Sequence, residues 1–172
     1  MNLNQSLRLA VHYGSISALC SFGVFLLLYF MVKNPLGNIS FVGAWIPIVF
    51  IVLAIKSFKE NVGDGYITYG QGLRTGTWTS LFIAILFSLL VYIFLNLIDA
   101  SIIEAYKEEA LKQLEISKDV LNKSMYYTTL EGIEKTTAGS LAMSEFYTKF
   151  IGGFIVSLIV AAFFKSPKPI QN

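Results

Sequence analysis

Four apolar blocks, Leu9–Val32, Ile39–Ile55, Gly76–Ile98 and Phe146–Phe164, split three-plus-one by a long polar segment, constrain this chain more than any other feature. A helix rises about 1.5 Å per residue, so about 20 apolar residues cross a hydrocarbon core of about 30 Å. The second block sits at the short end of that range. A charge at the middle of such a helix costs about 2.5–3.5 kcal/mol on insertion, and none of the blocks carries one at its centre. An open sheet is excluded at that depth, because its edges would leave unpaired backbone groups in lipid. The blocks therefore predict an all-α polytopic membrane protein of four transmembrane helices, a single domain over residues 1–172, with the lipid bilayer as its first partner. Hydrophobic residues at 55% and charged residues at 14% agree with that class. A net charge of +2 and the lack of a dense Lys/Arg run argue against a nucleic-acid partner.

The connections set the organisation. Lys33-Asn34-Pro35-Leu36-Gly37-Asn38 is rich in turn formers and predicts an antiparallel hairpin of the first two spans. Pro47 falls inside the second block and predicts a kink there. The second connection, Lys56–Thr75, collects basic residues, glycines and the pair Tyr66 and Tyr69. The third, residues 99–145, is the one sizeable polar region. Ile103, Tyr106, Ala110, Leu114, Leu121 and Met125 recur near helical spacing, so the third span is expected to run on as an amphipathic helix to about Lys123. Gly132 and Gly139 weaken a helix thereafter, and Ser144 is the expected cap of a short lead into the last span.

Arg8, Lys56, Lys59, Arg74, Lys165 and Lys168 fall on one side of the predicted topology, and Lys33 and the long segment on the other. The short basic segments belong in the cytoplasm. The expected localisation is the inner cell membrane, with both termini cytoplasmic and residues 99–145 outside. Arg8 ahead of an apolar stretch resembles an export signal. The stretch nevertheless runs past Cys20 to Val32, longer than the roughly 7–15 residues of a signal core, and reads as a retained first span. Cys20, the sole cysteine, is expected to be a buried, inert thiol.

Small residues recur every fourth position in the third span: Gly72, Gly76, Ser80, Ala84 and Ser88. The last span repeats the pattern with Gly153, Ser157 and Ala161, and the first with Ala10, Gly14 and Ala18. Within a bilayer, apolar surface gains little by hiding from lipid, so close backbone packing supplies the attraction between helices. The stripes predict internal bundle packing, with a dimer or partner face as the alternative.

Sites for chemistry are sparse. His12, the sole histidine, lies beside Tyr13 at the expected headgroup level, where a ring anchors a helix; a proton relay would need a carboxylate that the sequence does not place at that depth. Asn96 and Asp99 fit a water-facing helix end. Gly63-Asp64-Gly65 and Gly70-Gln71-Gly72 lack the Gly-Lys-Ser/Thr ending of a phosphate loop and read as turn chemistry. No zinc-ligand set, no nucleophile elbow and no paired acids in a cleft can be assembled. The chain is therefore expected to be no enzyme and to need no metal or cofactor.

Tyr66-Ile67-Thr68-Tyr69-Gly70-Gln71-Gly72-Leu73 before the third span, and Ile151-Gly152-Gly153-Phe154-Ile155-Val156-Ser157-Leu158-Ile159 followed by Lys165, resemble the bacterial membrane-protein family called domain of unknown function 4199. The resemblance implies a four-span inner-membrane protein and supplies no activity. The residues themselves favour a non-catalytic accessory or scaffold component of an envelope assembly, docking a membrane or envelope partner through residues 99–145. A small oligomeric transporter or channel is the alternative, and a homo-oligomer is compatible with either.

Overall fold

Side-chain caps at Thr68, Asn122 and Thr137, rather than the ends of the apolar blocks, decide where three of the helices begin. The computed structural model describes residues 3–32, 34–166 and 168. It contains α1 (Leu3–Met31), α2 (Trp45–Asn61), α3 (Tyr69–Leu97), α4 (Ser101–Ile116), α5 (Lys123–Glu134) and α6 (Ala138–Phe164). A 3₁₀ turn, Asn38–Gly43, precedes α2. Among the described residues there is no strand, only an isolated bridge between Ile67 and Ser166. Helices α1, α2, α3 and α6 are each long and apolar enough to cross a membrane, α2 together with the 3₁₀ turn that leads into it. This is a multi-pass membrane protein.

Several boundaries differ from the sequence expectation, each for a local reason. α3 starts at Tyr69 rather than Gly76 because Thr68 Oγ1 accepts the Gln71 N–H while Gln71 Oε1 accepts the Thr68 N–H. Such reciprocal caps stabilise a helix start by about 0.5–2 kcal/mol. The glycines of Gly70-Gln71-Gly72 are thereby helical, not part of a turn. α6 likewise starts at Ala138, where Thr137 and Ser140 form the same box. Ser144, the expected cap, lies in the helix interior.

The second span is displaced. Residues 38–43 wind as a 3₁₀ turn and α2 runs to Asn61, past the expected end at Ile55. Pro47 consequently stands in the first turn of α2. Its missing N–H has no helical acceptor there in any case, so the expected kink has no cause. Lys33, the basic residue of the first connection, lies outside the described residues.

The third span does not run on unbroken. α3 ends at Leu97, and Asp99 turns the chain: its Oδ1 accepts the Ser101 N–H at 2.9 Å and its Oδ2 accepts the Tyr29 hydroxyl at 3.0 Å. An aspartate that captures the amide two residues on competes with the helix ladder. α4 follows, and a second break at residues 117–122 separates it from α5. Asn122 caps α5 by accepting the Met125 N–H at 2.8 Å, which carries helix through Gly132.

α3 is the hub of the bundle, packing against α1, α2 and α6. Ser6 and Thr75 hydroxyls lie 3.1 Å apart, and Ile67 and Ser166 exchange backbone hydrogen bonds of 2.9 and 2.8 Å. The start of α1, the α2–α3 turn and the end of α6 therefore share one end of the bundle, and α4–α5 occupy the other. Asp64 and Gly65 take left-handed φ of 51° and 84° in the α2–α3 turn. A Cβ on Gly63 would overlap the Tyr66 carbonyl oxygen, so that turn needs its glycine.

Two apolar clusters fill the interior. Ile51, Ile55, Phe58, Ile67, Ile83 and Val160 form the one at the terminal end. The other, toward α4, centres on Phe94, whose ring meets Phe25 edge-on at 5.2 Å and Tyr29 at 5.0 Å. Small residues line the helix contacts themselves, with Ile51 and Ile55 of the first cluster against them. A Cβ on Gly76 would stand 2.7 Å from Ser157 Cβ, and one on Gly153 would stand 2.7 Å from Ser80 Cβ. One on Gly14 would stand 2.8 Å from Phe82 Cβ.

Gly152 and Gly153 provide an internal control, because a Cβ on Gly152 meets nothing within 4 Å. Gly153→Ala and Gly76→Leu are expected to lower the thermal aggregation temperature of the detergent-solubilised protein, overpacking costing about 1–3 kcal/mol. Gly152→Ala should leave it unchanged or slightly raised; equal losses at 152 and 153 would show that the α3–α6 contact is not the constraint. At the α3–α4 corner, the Ser101 side chain first, then its backbone N–H and the Tyr29 hydroxyl, hold the Asp99 carboxyl below the usual carboxylate range. A group depressed in the native state stabilises above its unfolded pKa and loses that contribution as pH falls through the native value. Hydrogen-exchange protection at Ser101 should therefore persist at neutral pH and fall below about pH 4. Asp99→Ala should abolish it at every pH, and undiminished protection would remove Asp99 from the corner.

Candidate functional site

The small-residue contact fixes more than stability; it sets what lies level with what. In the antiparallel α3–α6 pair, Gly72 faces Ala161, Gly76 faces Ser157 and Ser80 faces Gly153. Ser80 and Ser157 hydroxyls approach to 3.5 Å, each already donating to a carbonyl one turn back in its own helix. Ala84 is fully buried one turn further along α3. Ser88 departs from the set: it is only partly buried, and its hydroxyl donates to Ile85 O.

The same step of four along α6 leads from Gly153 to Lys149 and then Glu145, level with Ala84 and Ser88. Lys149 Nζ stands 3.7 Å from Glu145 Oε2 and 4.7 Å from the centre of the Phe87 ring. Their side chains are only 14% and 17% exposed. An ionisable pair drawn into a membrane bundle is by default a candidate functional position. Sequence reading missed it, although the signal was there: opposite charges four apart, one turn from a small-residue stripe.

The pair faces a cleft of about 330 Å³ at the α4 end of the bundle. α6 supplies Ser144, Glu145, Thr148 and Lys149; α4 supplies Glu109 and Gln113; the first connection and the 3₁₀ turn supply Asn34, Asn38 and Phe41. Glu109 is clasped: Asn34 Nδ2 donates to its Oε2 at 2.8 Å and the Asn38 N–H to its Oε1 at 3.3 Å. A side chain on Gly37 would collide with that carboxylate. Beneath the cleft, a recess of about 20 Å³ shares Glu145 and Lys149 and is floored by Phe25, Leu28 and Phe87. Ser21 Oγ is buried in its wall with no hydrogen-bond partner among the described residues.

Outside the bundle, α4 and α5 form an arm. α4 returns Ile102 and Leu114 to buried positions, whereas α5 buries none of its residues. The turn between them is latched by Glu115, which accepts from Lys118 Nζ at 2.8 Å and from the Tyr126 hydroxyl at 2.9 Å. Lys118, then Tyr126, hold the Glu115 carboxyl below the usual carboxylate range. At the tip, Ile116 and Val120 are 75% and 88% exposed.

The remaining candidates fall outside both features. His12 is exposed on α1 and meets Tyr13 edge-on at 5.2 Å. Cys20 is exposed rather than buried, because Ser17, Ala18 and Ser21 take the inward face of α1 and turn Cys20 away from the bundle. The Asn96 amide donates to Tyr92 O at 2.8 Å at the exposed end of α3. Among the described residues, no group of three or more His, Cys, Asp or Glu side chains could hold a metal ion.

No curated protein and no solved structure matches this chain. A family model described as Protein of unknown function (DUF4199) matches residues 12–166, most of the length, and the chain belongs to that family.

Proposed function

We propose that this protein is a non-catalytic accessory component of a bacterial inner-membrane or envelope assembly, and that its α4–α5 arm docks a protein partner. The carrying observation is the arm's isolation: α5 packs chiefly on α4 and buries none of its own residues, while Ile116, Val120, Met125 and Tyr127 face outward. Apolar side chains held in water on a latched scaffold gain free energy when a partner covers them. The basic residues at the opposite end favour a topology with both termini in the cytoplasm and the arm outside.

An oligomeric transporter is the second reading, favoured by the Glu145–Lys149 pair in its cleft. Against it, the cleft narrows to the small recess floored by Phe25, Leu28 and Phe87, and the hydroxyls of Thr79, Ser80 and Ser157 bond within their own helices.

A photo-crosslinker at position 120 of the full chain should capture a protein adduct in membranes. Tyr127→Asp should weaken that capture by about tenfold or more, as loss of a buried interface anchor does, while leaving the bundle's melting unchanged. Adducts to lipid alone, or capture indifferent to Tyr127→Asp, would sink the docking role. For orientation, Lys118→Cys on a Cys20→Ser background should react with an impermeant maleimide in intact cells. Reaction only after the cells are opened would reverse the topology.

A further inference from the structure

The two charges inside the cleft form only a loose pair. Lys149 Nζ lies 3.7 Å from Glu145 Oε2 and 4.7 Å from the Phe87 ring centre, both longer than the 2.7–3.2 Å of an N–H···O hydrogen bond. Buried charges are tolerated when paired and hydrogen-bonded, and costly otherwise. Ser21 Oγ, just below, is without a partner among the described residues. An ammonium has three donors and a carboxylate several acceptor sites, so a single loose contact between them leaves both with bonding capacity for a ligand in the cleft. Glu109 adds a second carboxylate to the cleft wall, fixed by Asn34 and the Asn38 backbone.

This charge pattern selects among ligands. Two carboxylates against one ammonium disfavour a simple anion. A bare cation would leave Lys149 with no acceptor. A zwitterion answers both groups, its cationic end toward Glu145 and Glu109 and its anionic end toward Lys149. A primary ammonium suits the carboxylates better than a quaternary one, because it brings N–H donors.

The mouth of the cleft indicates the source. Phe41 forms part of it and is 75% exposed, and Val42 and Trp45 follow it outward at the start of α2. Exposed aromatic residues at the end of a membrane span are the mark of the headgroup layer. The facing lip is Ser144 and Thr148 of α6. We propose that the cleft binds the phosphoethanolamine headgroup of a membrane phospholipid. The primary ammonium meets Glu145 and Glu109, the phosphate meets Lys149, and the acyl chains leave past Phe41 into the bilayer. A volume of about 330 Å³ falls in the range of small-ligand sites.

Native mass spectrometry of the full detergent-solubilised chain tests this, with phosphatidylethanolamine, phosphatidylcholine and phosphatidylglycerol of identical acyl chains supplied one at a time. The ethanolamine lipid should be retained about tenfold more tightly than either other lipid. Lys149→Met and Glu145→Gln should each erase that preference. Thr148→Trp, at an exposed lip position, should block retention without altering melting, and it keeps the test decisive where the charge variants fail to fold. Equal retention of the three lipids, or undiminished retention in Thr148→Trp, overturns the proposal. Competition by free glycerophosphoethanolamine at the same concentration as the lipid would overturn the membrane source and assign the cleft to a soluble zwitterion.

Discussion

The close approach of α3 to α6 is the contact on which the rest of the molecule depends. In lipid, burying a leucine against another helix gains little that the acyl chains did not already offer, so helices associate where their backbones come near. Gly76 against Ser157 and Gly153 against Ser80 leave no room for a Cβ at either glycine. The serines fill these slots while returning their hydroxyls to their own helices, so they cost no unsatisfied polar group at membrane depth. Larger apolar side chains gather in two clusters, and Ile51 and Ile55 of one of them abut the same glycines.

That contact also fixes a register. Once Gly153 is seated on Ser80, Lys149 comes level with Ala84 and carries its ammonium over the Phe87 ring. The stripe of small residues thus does two jobs along one helix face. Lower down it permits contact; one turn higher it admits a charge. The clasp of Glu109 by Asn34 and Asn38 closes the cleft from the other side and ties the base of α4 to the α1–α2 connection.

Sequence alone carried the fold class, the four spans and the uncharacterised family, because each rests on patterns longer than a helical turn. It failed where a few polar atoms decide. Thr68 with Gln71 and Thr137 with Ser140 moved two helix starts outward, and Asp99 broke a helix whose apolar spacing ran straight through it. Pro47 kept its local meaning but lost its consequence when α2 began later. Glu145 and Lys149 went unread because Glu145 was counted with the polar segment and Lys149 with the apolar block. Their i, i+4 relation crossed the boundary drawn between them. Ser88 shows the converse error: it keeps the spacing of the stripe, yet it is only partly buried and its hydroxyl turns back to Ile85 O.

The arm and the bundle are held together by different forces. The bundle packs through long helices whose backbone bonds have no competing water. α5, at 12 residues, is of a length that is marginal as an isolated helix in water. It is sustained by the Asn122 cap, the Glu131–Lys135 pair and the Glu115 latch to α4, and exposed pairs of this kind contribute about 0.3–0.5 kcal/mol each. Such a helix is stable enough to present a shaped surface and weak enough to adjust to what covers it. The free energy of a docked partner would therefore be divided between covering Val120 and Tyr127 and ordering α5 itself. The Tyr29–Asp99 bond ties the root of the arm to α1.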